Sequence, residues 1–296
     1  MNGKISTVII ILNWNGLKNT IKCLDSLLKI TGVDYKVIVI DNGSEKDEAS
    51  ILRRKYKKKI EVYRMEKNLG FTGGCNYGII TAKKFNPDFF LLLNNDTLID
   101  KNFLKNLTES ATSDEKIGLA SPIIYDYHNK NKVIFSGGGI NWLFGKTYHK
   151  TNMIRSKIDC NFLTGCCLLI NSKLPGKIGL LDNRFFAYFE DAAYSLSAIK
   201  AGYKCICEPK AVIFHKEGAS SDKKGAFKTY LISRNRILFI NTYAPFVVRI
   251  YFFFFNLIKL VFALIYFLIT KQYSRARAFT KGYLDGNLGR GGFPTL

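Results

Sequence analysis

Two hydrophobic patterns alternate along the first hundred residues. Short continuous apolar runs are typical of strands buried on both faces, and segments with apolar residues at helical spacing are typical of packed helices. The predicted strands are 6–12, 36–40, 61–64 and 89–93, and the predicted helices are 17–30, a charged segment that ends near 58, and 75–84. This alternation predicts a parallel sheet with helices on both faces.

The later part of the chain is less regular. Residues 117–169 contain short strand candidates separated by polar turns. A helix is predicted over 190–200, and a pair of strands over 205–214, on either side of Pro209. Residues 246–270 differ in kind, because they are almost continuously apolar and long enough to cross a bilayer, for which about 20 residues suffice.

Polar clusters follow three of the predicted strands at the point where each strand ends. They are Asn13-Trp14-Asn15, Asp41-Asn42-Gly43-Ser44 and Asn94-Asn95-Asp96. The carboxyl ends of parallel strands emerge at one edge of a sheet, so the clusters can converge on one ligand. Trp14 offers a flat face for stacking a base, and Asp41 can accept from a base N–H or a ribose hydroxyl. The Asp96 carboxylate suits a divalent cation that is held partly by substrate phosphates.

A glycine-rich segment from Asn68 to Gly78 is a fourth candidate. Its glycines, among them Gly70 and Gly74, allow close backbone approach, and a helix that begins near Cys75 would direct free N–H groups at an anion. Each cluster taken alone is also compatible with a turn, a cap or a core aromatic residue. Their common position at one edge of the sheet favours a binding site.

The composition narrows the partners and the compartment. The chain has 44 Lys and Arg residues against 23 Asp and Glu, a formal charge of +21, which indicates nucleic acid, a phosphorylated substrate or an acidic membrane surface as a partner. Its seven cysteines include no pair of CxxC motifs, so we expect buried free thiols in a reducing cytosol. No signal peptide is expected, because the first apolar run is short and Asn13 follows it.

The clusters, together with two later motifs, resemble those of family 2 glycosyltransferases, and in particular the rhamnosyltransferase-like branch. The later motifs are Phe189-Glu190-Asp191, similar to the family's acidic motif, and His215 with Gly218, Ala219 and Ser220, similar to its downstream motif. Asn94-Asn95-Asp96 stands in the place of the family's Asp-x-Asp. The resemblance runs from about residue 5 to 240.

The resemblance implies the α/β glycosyltransferase type A fold, a Rossmann-like, mostly parallel sheet with helices on both faces. The catalytic domain would cover residues 1–240, with the nucleotide-sugar half at about 1–100 and the acceptor half at about 101–240. A helical, membrane-associating basic tail would follow over 241–296.

The resemblance also implies a role for each site residue. Asp96, completed by His215, would bind Mg²⁺ or Mn²⁺ at the donor diphosphate. Asp191 would be the general base that takes the proton of the acceptor hydroxyl in an inverting displacement, and Glu190 would orient the acceptor or the loop. The residues expected to bind the nucleotide-sugar donor are Asn13, Trp14, Asn15, Asp41, Asn42, Asn68, Gly70, Gly74, Asn76 and Asn95.

One departure from the family pattern concerns the acidic motif. The family's second Asp and its Arg four residues later are replaced by Ala193 and Ser197. Treated as an exposed helical ion pair, the loss would cost only about 0.3–0.5 kcal/mol, so we interpret it as structural drift in an active enzyme. The competing hypothesis is a degenerate enzyme that binds nucleotide without transfer.

The apolar C-terminal segment is expected to lie on the membrane. Asn256, Lys259 and Tyr266 fall near one helical face and form a polar stripe. Both flanks are basic, so a single crossing would export one cationic flank, against the positive-inside tendency. We expect a monotopic or re-entrant anchor on the cytoplasmic leaflet that is drawn to anionic lipids, with a buried helix or a dimer interface as the alternative.

These features favour transfer of a sugar from a nucleotide donor to a glycan or lipid-linked acceptor in cell-surface polysaccharide synthesis. The family branch suggests dTDP-L-rhamnose as the donor. A non-catalytic nucleotide-sugar-binding protein is the alternative. A nucleic-acid-binding protein is less favoured because the basic residues are spread out along the chain. A processive synthase is also less favoured, because neither Trp14 nor Trp142 follows an Arg, as the tryptophan of that class's Gln-x-x-Arg-Trp motif does.

Overall fold

The computed structural model describes residues 5–216 and 225–294. Its strands are Ser6–Asn13 (β1), Asp34–Asp41 (β2), Glu61–Arg64 (β3), Phe89–Asn94 (β4), Thr97–Ile99 (β5), Ile117–Asp126 (β6), Val133–Phe135 (β7), Gly138–Asn141 (β8), Lys146–His149 (β9), Ile158–Asp159 (β10), Cys167–Asn171 (β11) and Lys204–His215 (β12). Its α-helices are Leu17–Leu27 (α1), Glu48–Tyr56 (α2), Gly70–Ala82 (α3), Phe103–Thr112 (α4), Leu174–Ile178 (α5), Glu190–Lys200 (α6), Gly225–Tyr243 (α7), Phe246–Ile269 (α8) and Tyr273–Asn287 (α9).

One large mixed sheet organises the molecule. Its strand order is β10-β12-β6-β11-β4-β1-β2-β3, with β5 paired to β12 and β7 to β6. The strands of the first hundred residues that lie on this path, β1 to β4, pair in parallel, as the alternating pattern predicts. The second half is mixed, because β11 runs antiparallel between β4 and β6. The α/β fold class is confirmed.

The apolar runs form the core of this sheet. The central residues of β1, β2 and β4 are fully buried between helices on the two faces. All seven cysteines are buried free thiols, as the composition suggested. The helix α4 was not predicted; its apolar residues at positions 103, 104 and 107 pack into the same core.

The glycine-rich helix begins earlier than predicted. We expected it to start near Cys75, but α3 begins at Gly70. A Cβ atom at Gly74 would lie 2.3 Å from Leu12, and one at Gly78 would lie 2.3 Å from Ile10. These two glycines therefore let the helix backbone lie directly on β1, which explains their positions one helical turn apart.

The strand pair predicted around Pro209 is a single strand. β12 runs through Lys204–His215 and pairs in parallel with β6, with a register shift between Glu208 and Val212. Proline has no N–H to give to the ladder, and such a shift is where a sheet tolerates it. The prediction of two strands was wrong because the proline interrupts the ladder without turning the chain.

Three helices close the described chain, and the middle one is exposed. The long helix α7 packs against α9, and α8 touches the rest of the protein chiefly through Phe252 and Asn256, its two buried residues. By length and composition α8 could cross a membrane, and it is the one helix of the described residues that meets this test. The expected polar stripe is divided: Asn256 is buried and accepts a hydrogen bond from Arg236, Lys259 faces α7 and α9, and Tyr266 is exposed.

The contact between Gly78 and β1 makes a testable prediction about packing. Gly78→Ala adds a methyl group against Ile10, so we expect the free energy of unfolding to fall by about 1–3 kcal/mol despite the better helix propensity of alanine. Gly176→Ala is the matched control, since a Cβ there meets nothing within 4 Å. Urea unfolding measures both variants, and equal stability of the two would contradict the close approach.

Candidate active site

The ends of three parallel strands meet at one edge of the sheet. Asn13 of β1 pairs with Asp41 of β2, and Leu12 pairs with Asn94 of β4. A chain of side-chain hydrogen bonds then crosses the edge. The Asn95 amide donates to the Thr20 hydroxyl (2.8 Å), which donates to the Asn13 carbonyl oxygen (2.6 Å).

Asn13 and Asp41 are buried beneath this edge. The Asn13 amide donates to Glu48 Oε2 (2.8 Å) and to Asp41 Oδ1 (3.3 Å). Oδ2 of Asp41 is buried without a hydrogen-bond partner in the described residues, and Arg64 Nε lies 3.8 Å away. A buried acceptor without a donor requires an explanation, and a ligand N–H or hydroxyl would supply the missing partner.

The residues that open α3 are tied to the end of β2. The Asn42 amide donates to Asn68 Oδ1 and to the Gly70 carbonyl, both at 3.0 Å, and its own oxygen accepts from the Leu69 N–H (3.0 Å). Asn68 Oδ1 also accepts from the Gly70 N–H (2.8 Å). These bonds fix the start of the helix beside the strand ends, and Gly70 takes a φ of +75° there, which favours glycine.

Two of the expected donor-binding positions face inward instead. Gly74 lies on Leu12, so its lack of a side chain serves helix–strand packing. The Asn76 amide donates to the Leu181 carbonyl (2.8 Å) and to Asn183 Oδ1 (2.9 Å), and its oxygen accepts from the Leu181 N–H (3.0 Å). Asn76 thus anchors the segment that leads to the acidic motif.

Trp14 and Asn15 lie at the outer surface of the same edge. The Trp14 side chain is 37% exposed. Asn15 has a φ of +49°, and its side-chain oxygen accepts from the Glu45 N–H (2.9 Å). The turn therefore holds the indole at the rim of the strand ends, where it can meet a flat group.

Asp96 and His215 form the candidate metal site. The imidazole Nε2 lies 3.1 Å from Asp96 Oδ1, and the two side chains are largely buried. Two ligand atoms in adjacent positions of an octahedral ion, each at about 2.1 Å, lie about 3 Å apart, so the pair has the spacing that Mg²⁺ or Mn²⁺ needs. The described residues contain no group of three His, Cys, Asp or Glu side chains that could hold a metal ion. The remaining positions would fall to phosphate oxygens and water.

A proton competes for the same imidazole. Burial lowers the pKa of His215, but the Cys166 sulfur and the Asp96 carboxylate outweigh it and raise the pKa to about 11. The imidazole must lose this proton before its nitrogen can bind a metal ion, so metal affinity at this pair rises with pH.

A short connection links the metal pair to the acidic motif. The Cys166 carbonyl accepts from the Asn94 N–H (2.9 Å), which holds the start of β11 beside the end of β4. One residue earlier, the Gly165 N–H donates to Asp191 Oδ2 (2.9 Å). The Asp191 carboxylate and the Asp96–His215 pair are therefore positioned by neighbouring residues of one segment.

The two carboxyl groups of the acidic motif sit in different environments. Burial raises the pKa of Glu190 well above its ordinary value, the Asp191 charge raises it further, and its Oε2 has no partner in the described part of the chain. Burial also raises the pKa of Asp191, but N–H groups of Gly165 and Ala192 stabilise its charged form. Glu190 therefore retains its proton more readily, and Asp191 is the stronger candidate for the ionised group.

The loop before the acidic motif has a strained backbone. Phe186, Tyr188 and Phe189 have φ values of +61°, +71° and +74°, in the left-handed region that non-glycine residues rarely adopt. Each such residue costs on the order of 1–3 kcal/mol and persists only where the surroundings hold it. The strain therefore requires a device that fixes the loop.

Arg234 and Asn235 on α7 are that device, and sequence reasoning missed it. The buried Asn235 amide donates to the carbonyls of Phe185, Ala187 and Tyr188 at 2.7, 2.7 and 2.9 Å. The fully buried Arg234 guanidinium donates to the carbonyls of Phe185 and two further residues. The available signal is a polar run, Ser233-Arg234-Asn235-Arg236, between apolar residues, but from the sequence we interpret its arginines only as part of the basic flank of residues 246–270.

The departure at the acidic motif must be reinterpreted. Ala193 is 1% exposed, so the estimate for an exposed ion pair was wrong at that position. An Asp there would be buried and would need a partner. Ser197 instead lies within hydrogen-bonding reach of Tyr243. Gly218, Ala219 and Ser220 of the downstream motif lie outside the described residues.

Comparisons with known proteins identify the family. Residues 8–178 match the sequence profile of glycosyl transferase family 2. The chain is 23% identical over 226 residues to the N-acetylglucosaminyl-diphospho-decaprenol L-rhamnosyltransferase of Mycobacterium tuberculosis, covering 69% of this chain and 73% of that protein. It is 24% identical over 247 residues to the low-salt glycan biosynthesis hexosyltransferase Agl10 of Haloferax volcanii, covering 79% and 75%.

A solved structure shares the fold. GalNAc-T7 with UDP, GalNAc and Mn²⁺ superposes with a TM-score of 0.63 at 16% identity, over 79% of this chain. The chain spans about half, 48%, of the length of that protein. This likeness confirms the type A glycosyltransferase architecture.

The Asn235 contacts predict a loss of loop order on substitution. Asn235→Ala leaves the carbonyls of Ala187 and Tyr188 without this donor, at about 1–3 kcal/mol for a buried group, and frees the strained loop. We expect kcat to fall about 100-fold, because small misplacements of catalytic groups have effects of that size, while the affinity for nucleotide changes little. Asn287→Ala is the control, since that amide donates only to the Tyr283 carbonyl of its own helix. An unchanged kcat in Asn235→Ala would contradict the positioning role.

Proposed function

Because the chain belongs to glycosyl transferase family 2, we propose that it transfers L-rhamnose from dTDP-L-rhamnose to a glycan or lipid-linked acceptor at the cytoplasmic face of the membrane. The family and the fold support a nucleotide-sugar donor. The mycobacterial relative, named for L-rhamnosyl transfer to a diphospho-decaprenol carrier, supports the finer choice of sugar and acceptor.

The observation that carries the proposal is the single segment shared by the two halves of the site. Gly165 holds Asp191 and Cys166 holds the end of β4, one residue from Asn95 and two from Asp96. A donor whose diphosphate lies at Asp96 would then present its sugar toward Asp191. The carboxylate takes the proton of the acceptor hydroxyl as that oxygen attacks the anomeric carbon, and one displacement inverts its configuration.

The surroundings of the carboxylate suit this role. The N–H groups of Gly165 and Ala192 fix both oxygens of Asp191, so its orientation does not depend on the acceptor. Burial raises its pKa toward the operating pH, which makes it a better base than an exposed Asp. Glu190, holding a proton, adds no second negative charge beside it and can donate a hydrogen bond to the acceptor.

The donor end of the site would use the strand-end residues. Asp41 Oδ2 would accept from the base or the ribose, and Trp14 would stack on the base at the rim. Asp96 and His215 would hold Mg²⁺ or Mn²⁺, which neutralises charge on the leaving diphosphate when it is bound. The N–H groups at the start of α3 are mostly bound within the protein, those of Leu69 and Gly70 by Asn42 and Asn68 and that of Thr72 by the Phe186 carbonyl. The start of this helix would therefore position the strand ends rather than bind the phosphates.

The exposed helix α8 supports a location at the membrane surface. Most of its apolar residues face outward, and the segments on both sides of it are basic. We propose that α8 lies on the inner face of the cell membrane, with the catalytic domain in the cytoplasm. We propose a boundary between catalytic domain and tail at Pro245 in place of residue 240, so that it does not fall within α7, which continues to Tyr243.

The assignment of base and neutral acid predicts opposite behaviour for two conservative variants. Asp191→Asn removes the base, and we expect kcat to fall about 10²–10⁴-fold. Glu190→Gln imitates the protonated acid, and we expect kcat to stay within about tenfold of wild type. Steady-state rates of sugar transfer measure both, and a loss in Glu190→Gln as large as in Asp191→Asn would reverse the assignment.

Glu190→Gln is also expected to change how thermal stability depends on pH. A carboxyl group whose pKa is raised on folding binds its proton more tightly in the folded state, so its contribution to stability is lost as pH rises above its unfolded value. We therefore expect Glu190→Gln to gain thermal stability relative to wild type between pH 5 and pH 8. A difference in Tm that does not change with pH would show that Glu190 is ionised in the folded protein.

Donor binding can be measured separately from turnover. We expect dTDP, with Mn²⁺ and not with chelator, to stabilise wild type by about 2.7 kcal/mol at 100 times its Kd, and UDP, GDP and CMP to do so less. Asp96→Ala should lose the metal-dependent part. A thermal-shift assay measures the stabilisation by each nucleotide. Stronger stabilisation by UDP, GDP or CMP would show that the donor is not dTDP-L-rhamnose.

A further inference from the structure

The three C-terminal helices enclose a cavity that the proposed reaction does not use. Its volume is about 420 Å³, within the range of ligand pockets. The residues of α7 that line it recur on one helical face, and α8 and α9 complete the wall. Four basic residues, namely Lys228, Arg236, Lys259 and Arg275, lie in this wall, and among residues 5–216 and 225–294 no acidic residue does.

Arg236 lies deepest in this cationic cavity. It is 3% exposed, its Nη2 donates to Asn256 Oδ1 (2.6 Å), and its guanidinium lies over the Phe252 ring at 5.4 Å. Its Nε is buried without a hydrogen-bond partner in residues 5–216 and 225–294. Burial lowers the pKa of Arg236 to about 10. A buried guanidinium without a counter-charge is costly unless an anion reaches it.

The neighbouring basic residues add to the positive charge that lacks an acidic partner. Burial, together with the charges of Arg236 and Lys146, lowers the pKa of Lys259 to about 7. None of the four cavity cations forms a salt bridge with an acidic residue that the structure describes. The cavity therefore collects positive charge that a multiply charged anion would stabilise.

The cavity opens beside the exposed apolar surface of α8. Phe267 of α8 lines the cavity, and its ring packs on Phe279 of α9 at 6.0 Å. The adjoining outward residues of α8 include Phe262, Ile265 and Ile269, each about half exposed or more. A cationic pocket that continues into an apolar surface is complementary to an amphiphile with an anionic head group and a hydrocarbon chain.

We propose that the cationic cavity binds the terminal phosphate or diphosphate of a lipid whose hydrocarbon chain lies along α8. This inference rests on the proposed membrane-face function and names the head group of its lipid partner. It also explains why Asn256 and Lys259 of α8 face the protein: Asn256 accepts from Arg236, and Lys259 completes the wall.

The β8–β9 hairpin connects this cavity with the acidic motif. Phe144, in the turn of the hairpin, packs on Phe255 of α8 (5.6 Å), and Trp142 stacks on Phe239 of α7 (5.9 Å). At the end of β9, the His149 ring stacks on Phe162 (5.8 Å), three residues before Gly165, whose N–H donates to Asp191. A lipid held by its phosphates at α7 and α8 would thus sit on the side of the protein that also carries the base.

The test uses the full chain and vesicles of phosphatidylcholine. One set contains 5 mol% of a polyprenyl diphosphate, and a second set contains phosphatidylserine to the same surface charge. We expect wild type to bind the diphosphate vesicles about tenfold more tightly, a preference of about 1.4 kcal/mol. Lys228→Gln/Arg275→Gln, at the rim of the cavity, should abolish the preference without disturbing the buried Arg236.

Lys271→Gln/Arg277→Gln is the matched control, with the same loss of charge on exposed residues outside the cavity. Each cation near a membrane adds about 1 kcal/mol of unspecific attraction, so both double variants should bind all vesicles more weakly, but only the control should keep the preference. Equal binding of wild type to the two vesicle sets, or loss of the preference in both variants, would overturn the proposal.

Inorganic pyrophosphate distinguishes the two sources of such an anion. If it binds the protein as tightly as the diphosphate vesicles do, the cavity is a site for a soluble anion and the lipid assignment is wrong. The thermal shift with dTDP and Mn²⁺ measures binding at the strand ends and does not involve the cationic cavity. A negative result in the vesicle experiment therefore leaves the proposed donor untouched, and the two proposals are tested separately.

Discussion

The parallel pairing of β1 with both of its neighbours is the constraint on which the site depends. Because β2 and β4 flank β1 in the same direction, Asn13, Asp41 and Asn94 end at one edge and their following residues share one space. Gly74 and Gly78 then let α3 lie against β1, which brings the start of that helix to the same edge. A slip of one residue in either ladder would move each β1 side chain to the opposite face of the sheet, take Ile10 and Leu12 away from the glycines of α3, and separate the polar ends.

The sequence predicted the parts of the protein whose causes are local. Continuous apolar runs marked β1, β2 and β4, and the polar residues after them marked the edge where the site lies. The second half of the sheet could not be predicted in this way, because β11 and β12 acquire their places from pairing with strands distant in sequence. The prediction of two strands around Pro209 was wrong for the same reason, because the continuation of β12 past the proline depends on its pairing with β6.

The candidate site divides along a similar line. Residues at strand ends could be named from sequence, but whether a side chain faces a ligand or the protein depends on tertiary partners. Asn76 was expected to bind the donor and instead holds Leu181, and Ala193 was treated as exposed and is buried. Arg234 and Asn235 gave no periodic signal, because their function is to satisfy carbonyls of a loop whose shape no local rule predicts.

The hydrogen bonds from α7 to the loop before Glu190 have a consequence for the order of folding. Arg234 also donates to the Gly292 carbonyl, and the Gly292 N–H donates to the Arg184 carbonyl. The strained loop therefore acquires its partners only after residues made much later on the ribosome have docked. We expect the first half of the sheet to become compact first, with the carboxyl groups of the acidic motif unordered until α7 and the segment around Gly292 have docked.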